Sequence, residues 1–287
     1  MQSYISIVNE MKRYAFDCET DGLVHELTKM HSLVIEDVDT GEVYSCADQS
    51  GYDSIHTGLT ILSQADVLIG HNIINFDYRA IHKLFPKFKK KKGCITYDTL
   101  IVSRVLWPEL DPLDEKNFAH IDKKYVGRHS LGAWGERLNV KKINFVGGKE
   151  PENVWDKWSK EMQTYCEGDV KVSVELYKYF QTQELDPRCF QLEHDFAIIM
   201  SLQEDFGFPF NEKGAYALVN TLKTRRTEID EELQQKFPPI TEERISEKTG
   251  KRLKDKVTIF NPASRKQTSE RLQKIYPEIK FEETEKG

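Results

Sequence analysis

A short apolar strand at residues 13–17 ends in a carboxylate, and further strands follow before any helix. That order restricts the fold more than any other feature of the chain. Residues 31–47 read as two strands around a turn at Asp39-Thr40-Gly41, and residues 65–72 as a buried strand ending at His71-Asn72. Residues 75–85 carry Phe76, Ile81, Leu84 and Phe85 at helical spacing, which predicts a helix starting near Asn75. Residues 97–107 predict another helix, with Asp98 as its N-cap. Residues 129–139 predict a short helix. Residues 154–182 predict a long amphipathic helical region with a break near Gly168. Strands first, β-α alternation in the middle and helices later imply an α/β fold, a mixed β-sheet flanked by helices.

The first strand continues as YAFDCETDGL, residues 14–23, so Asp17 and Glu19 alternate and share one strand face. Side-by-side carboxylates are costly unless a cation or proton neutralises them, and an all-oxygen donor set suits Mg²⁺ or Mn²⁺. The plainer reading is a strand end with solvated acids. Asp77 closes HNIINFD, residues 71–77, where Asn72 can donate to a nucleotide or orient a carboxylate. Asp77 can equally be a first-turn acid that favours the helix dipole. Tyr165 and Asp169, in YCEGD, are four apart on a helix and face the same way, or else form a core Tyr with an exposed Asp. Asp98 reads as a cap rather than a fifth acid of this set. His71 and His129 read as structural or phosphate-contacting, and Trp107, Trp134, Trp155 and Trp158 as core. The run KLFPKFKKKKG holds Lys83, Lys87, Lys89, Lys90, Lys91 and Lys92, either a contact for a nucleic-acid backbone or a solvated loop.

Bulk properties narrow the class. The 287 residues are 39% hydrophobic and 31% charged, ordinary for a globular protein, and suffice for one sizeable core plus extra helices. No run approaches the roughly 18 apolar residues of a membrane span. The N-terminus lacks the pattern of a signal peptide and reads as a lead-in, with Met11 as an alternative start. Five cysteines without a C-x-x-C pattern imply free thiols in a reducing, cytoplasmic setting and no zinc site. A net charge of −6 argues against a broad basic face that coats nucleic acid, but not against a local groove for one strand end.

Taken together, the three motifs resemble those of the 3′→5′ exonuclease domain of family A DNA polymerases, of the type with four acids and a tyrosine, and among these the phage enzymes. FDCETDGL is similar to the first motif, HNIINFD to the second in its phage spacing, and YCEGD to the third. Residues 97–108 and 127–139 are similar to segments between the second and third motifs, residues 193–211 to the segment after the exonuclease domain, and residues 259–273 to the base of the thumb.

The resemblance implies an RNase H-like exonuclease fold over residues 1–185 and a C-terminal helical extension over 186–287. It implies two ions, Mg²⁺ or Mn²⁺. Asp17, Glu19 and Asp169 would hold the first, and Asp17 with Asp77 the second. Tyr165 and Glu19 would orient the attacking water, and Thr20, Leu23 and Asn72 would contact the terminal nucleotides. The implied substrate is a single-stranded or frayed DNA 3′ end, trimmed to nucleoside 5′-monophosphates in the host cytoplasm. The nucleotidyl-transfer motifs of the family are missing from the sequence. The expectation is therefore the exonuclease subunit of a split polymerase, with the polymerase domain in a separate chain, or a truncated polymerase. The alternatives are an RNA-trimming exonuclease of the RNase D type and a mainly structural subunit that docks a polymerase chain.

Overall fold

The computed structural model describes residues 11–140, 154–246, 248 and 250–281. The lead-in before Met11 and the frayed tail expected over 282–287 lie outside the described residues. The chain divides into two compact units, Met1–Gly207 and Phe208–Gly287.

In the first unit, β1 (Arg13–Thr20), β2 (Met30–Asp37), β3 (Val43–Cys46), β4 (Val67–Gly70) and β5 (Ile95–Asp98) form one sheet in the order β3-β2-β1-β4-β5. β1 pairs antiparallel with β2 and parallel with β4, β4 pairs parallel with β5, and β2 pairs antiparallel with β3. Only β2 therefore runs against the others. The helices of this unit are α1 (Ile55–Leu62), α2 (Asp77–Leu84), α3 (Thr99–Leu106), α4 (Asp111–Asn117), α5 (Leu131–Arg137), α6 (Lys160–Gln181) and α7 (Pro187–Phe206). A mixed sheet in this order, flanked by helices, is the α/β, RNase H-like arrangement the sequence implied.

Alternation along β1 builds both cores. Tyr14, Phe16 and Cys18 join Leu33, Ile35, Leu59, Leu62 and Ile81 on one face, under α1 and α2. Ala15 joins Val34, Val67, Ile69, Trp134, Val170 and Val174 on the other, under α5 and α6. A sheet covered on both faces buries its strands on both sides, and β2 and β4 are buried along nearly their whole length. Burying each Leu, Ile or Val side chain here contributes about 1.5–3 kcal/mol. Gly70 lets β4 end hard against β1, because a Cβ there would sit 2.8 Å from the carbonyl oxygen of Phe16.

Several boundaries differ from the sequence expectation. The helix expected from Asn75 begins at Asp77, because residues 72–76 are first used in a turn in which the Asn72 carbonyl accepts from the Asn75 and Phe76 amides. α6 runs unbroken through Gly168, since eleven other positions along it are buried and hold it together. The expected division after residue 185 falls inside the first unit. α7 is tied there by His194, which is buried and whose Nε2 accepts the Asp98 amide at 2.9 Å.

In the second unit, α8 (Glu212–Lys236) is capped by Asn211, β6 (Ile240–Ile245) and β7 (Arg252–Thr258) form an antiparallel hairpin, and α9 (Arg265–Ile275) is capped by Ser264. The hairpin falls within residues 238–264, a stretch whose polar, turn-rich sequence predicts no strand. Phe260 is the buried apolar side chain among the described residues of this unit. Its ring lies 4.7 Å from that of Phe237, and its carbonyl accepts from Gln234 at 2.8 Å.

Candidate active site

β1 pairs with β4 only as far as Ala15, so its last residues extend past the parallel ladder. Asp17 and Glu19 lie on this extension, half-buried and on the face that α6 covers. The Cys18 amide, between them, lies beyond the β4 pairing, and Asp77 Oδ1 accepts it at 3.0 Å. Asp77 is 2% exposed, and burial pushes its carboxyl up to about 7. A carboxyl that costly to ionise favours a nearby cation or proton.

α6 brings the third motif. Its N-cap is Ser159, and a polar network fixes its first turns to β2 and β3: Ser32 Oγ donates to Gln163 Oε1 at 2.6 Å, Gln163 Nε2 to Ser45 Oγ at 2.9 Å, and Ser45 Oγ to Glu167 Oε1 at 2.6 Å. Trp158 Nε1 donates to the same Gln163 oxygen at 3.0 Å. Tyr165 is half-buried and meets the Trp155 ring edge-on, with centroids 6.5 Å apart. Asp169, one turn on, is buried at 5% exposure.

The helix also delivers a residue the motif reading passed over. Cys166 Sγ donates to the Asp17 carbonyl at 3.4 Å and lies 3.5 Å from Asp17 Oδ2. One ligand atom each from Asp17, Glu19 and Cys166 come within 4.8 Å of one another. Burial, then the charges of Asp17 and Glu19, push the Cys166 thiol well up, so it is a neutral donor here. Its contact with Asp17 spans 149 residues, and no local pattern signals it. Asp77 and Asp169 stand beside this group rather than in it. Asp77 reaches it through the Cys18 amide, and Asp169 lies three residues along the helix from Cys166. The donors are mostly hard oxygens on a half-buried surface and suit a divalent cation.

A second carboxylate fixes the loop of the second motif. Asp98 is fully buried, and its oxygens accept the amides of Asn72 at 2.9 Å, Ile74 at 3.1 Å and Leu100 at 3.0 Å. It is the expected N-cap of α3, and it also holds residues 72–74 in place. Burial raises its pKa, against the pull of those amides. Asn72 sits at φ +66°, a left-handed conformation that Asn tolerates better than most side chains. Thr20 Oγ1 donates to the Gly22 carbonyl at 2.8 Å and shapes the turn after Glu19, and Leu23 on that turn is 70% exposed. His71 and His129 bond the hydroxyls of Thr99 and Ser103 at 3.0 and 2.7 Å.

The basic run divides. Lys91 pairs with Asp66, Lys83 Nζ donates to the carbonyls of Val24 and His25, and Lys90 Nζ donates to Thr96 Oγ1. Lys87, Lys89 and Lys92 are exposed.

Over about three quarters of its length the sequence is similar to phage DNA polymerases. It is 27% identical over 266 residues to the DNA-directed DNA polymerase of Escherichia phage T7, covering 77% of this chain and 36% of that one. The same figures hold for the polymerase of Enterobacteria phage T3. The chain thus spans about a third of the length of the curated relatives it matches. No family model matches. Among solved structures, Brucella melitensis NrnC bound to pGG superposes with a TM-score of 0.46 at 20% identity, over 69% of this chain and 87% of that one. A product-bound exonuclease I does so with a TM-score of 0.37 at 15% identity, over 63% and 45%. Among the described residues no helix is long and apolar enough to cross a membrane.

Proposed function

We propose that the chain is a metal-dependent 3′→5′ DNA exonuclease of the proofreading kind. The observation that carries this is the pair Asp17 and Glu19, half-buried on the end of β1 that extends past its pairing with β4, beneath the helix that bears Tyr165 and Asp169. Asp17, Glu19, Asp77 and Asp169 would hold two divalent ions, Mg²⁺ or Mn²⁺. When bound, such ions supply Lewis acidity at the scissile phosphate and offset the clustered acids. The Tyr165 phenol and the Glu19 carboxylate orient the water that attacks the terminal phosphodiester in line. The bond to the preceding 3′ oxygen breaks, and a nucleoside 5′-monophosphate leaves. Thr20 and Asn72 line the position of the last nucleotides, and Leu23, apolar and exposed, wedges against a base. A single strand or frayed end is the natural substrate, because a mispaired terminus costs less to separate.

The wider setting also belongs to this reading. The relatives are polymerases nearly three times as long as the matched part, and residues 186–287 resemble the linker and thumb base of such an enzyme. The second unit exposes Phe208, Phe210, Tyr216, Leu218 and Leu222, side chains suited to lie against a polymerase domain, supplied by a separate chain or by the same polypeptide. Five free thiols fit a reducing cytoplasm.

The test is digestion of 5′-labelled single-stranded DNA by wild type and Asp17→Ala, each with Mg²⁺ and with chelator. The expected result is a metal-dependent ladder shrinking from the 3′ end. Asp17→Ala should lose about 10³-fold in rate, roughly 4 kcal/mol of transition-state stabilisation. An equally active, folded Asp17→Ala protein overturns the assignment. A matched RNA strand trimmed faster than DNA turns it toward RNA.

A further inference from the structure

A cavity of about 690 Å³ in the first unit opens beside the second motif, lined by Ile74 of the motif loop, Tyr78, Arg79, His82 and Lys83 of α2, Lys90, the turn residues Val24 and His25, and one face of α7. It begins one residue from Asp77 and one residue from Leu23. Its charge is unbalanced in a specific way. Arg79 is matched by Glu204 at 3.0 Å and by Asp205. Lys83 and Lys90 are not matched. Lys83 gives two of its N–H groups to the Val24 and His25 carbonyls, at 2.8 and 2.9 Å. Lys90 donates to Thr96 Oγ1 at 2.8 Å and lies 4.3 Å from the Tyr78 ring centroid. All these partners are neutral, and among the described residues neither lysine forms an ion pair. Lys91, next in sequence but outside the cavity, is the one of the run that finds a carboxylate. Two cations held in place by neutral partners make a site for an anion.

We propose that this cavity is a phosphate subsite for the strand, in which Lys83 and Lys90 receive the backbone 5′-ward of the terminal nucleotide. The inference rests on the exonuclease reading and deepens it, since it gives the strand a path from Leu23 along α2. It also assigns a role to two lysines of the basic run and leaves Lys87, Lys89 and Lys92 as solvated surface.

The test measures binding of a fluorescent single-stranded hexadeoxynucleotide in chelator, where no cleavage occurs, as a function of KCl. Each phosphate contact on a single strand contributes about 0.7 to the slope of log K against log salt. Lys83→Gln/Lys90→Gln is expected to lower that slope by about 1.4 and to weaken binding at least about tenfold at low salt. Lys92→Gln should bind as wild type does. Because Lys83 also ties down residues 24–25, the charge-keeping Lys83→Arg/Lys90→Arg is made in parallel and should restore most of the slope. A folded double Gln variant with the wild-type slope overturns the proposal. So does a wild type that does not bind the hexamer. Thymidine 5′-monophosphate is titrated alongside: if the Gln variant loses it while the hexamer slope stays, the cavity takes product rather than strand, and the strand assignment falls. Cleavage is scored separately in Mg²⁺. A slope that drops in a wild-type background without nuclease activity would leave the subsite standing and remove the exonuclease reading instead.

Discussion

The two units use their chains in opposite ways. The first buries side chains on both faces of a sheet and takes charged groups inside with them: Asp77, Asp98, Asp114, Arg137 and Asp169 are all 5% exposed or less. The second has one buried apolar side chain among its described residues, and its helices α8 and α9 bury none. Buried charge is tolerated only where a surrounding core fixes its partners, so chemistry that needs desolvated acids belongs in the first unit. The second holds its shape through caps, turns and a hairpin, and offers surface.

The largest expected effect sharpens that contrast. Arg137 and Asp114 form a bidentate pair at 2.6 and 2.8 Å, with side chains 0% and 2% exposed. Arg137→Met leaves Asp114 charged, buried and unpaired, which should cost about 3–5 kcal/mol. All four tryptophans lie in the first unit, so their fluorescence in a denaturant titration follows that unit alone. A shift below about 1 kcal/mol would show that water reaches Asp114 and that this core is looser than its burial implies.

The next effect depends on pH. Burial raises the Asp77 carboxyl to about 7 in the folded protein, against 3.8 as its ordinary value. The folded state then binds the proton more tightly than the unfolded one. In chelator, stability should be greatest below pH 4 and fall as pH rises toward 7, by about 2–4 kcal/mol. Asp77→Asn should remove the slope. A wild type whose stability rises over that window would contradict the burial argument, and added Mg²⁺ should flatten the slope if the site is occupied.

A smaller effect tests the second unit. Phe260→Ala removes the ring that meets Phe237 and lies under the Arg271 guanidinium, 5.9 Å away. With so little packed around it, the cost should be about 1–2 kcal/mol, below the 3–5 typical of a full core. Far-UV circular dichroism should show the loss while tryptophan fluorescence stays in place. If both transitions move together, the two units unfold as one and the comparison breaks.

How much of this was legible in the sequence follows the same division. The alternation of Asp17 and Glu19 on β1 and the capping by Asp98 are local rules, and both were readable. α1 was not, because Thr57, Gly58 and Thr60 give it weak helical character. Gly58 is there for packing: a Cβ would come within 2.8 Å of Leu33. The β6–β7 hairpin was missed because its residues are mostly exposed on both faces, so no alternation marks it. The basic run was visible as charge. Which of its lysines would find a carboxylate depends on Asp66, on the turn at 24–25 and on Tyr78, none of them predictable from the run itself.

Cys166 is the smallest perturbation and the hardest to have foreseen. Its thiol donates to the Asp17 carbonyl and stands against the Asp17 carboxylate, so it joins α6 to the end of β1 at the acid cluster. Cys166→Ala removes that link and leaves a small void, for about 1 kcal/mol in stability. The stability change alone would suit any buried cysteine. A positioning role adds a second signature, a several-fold fall in the rate of strand trimming at saturating DNA with binding unchanged. Cys166→Ser, which keeps a donor of similar size, should recover most of the rate although it packs less well. If Ala and Ser variants lose rate in proportion to their stability, Cys166 is packing only, and the acids at the end of β1 are held by the sheet and by Asp77 without help from the helix.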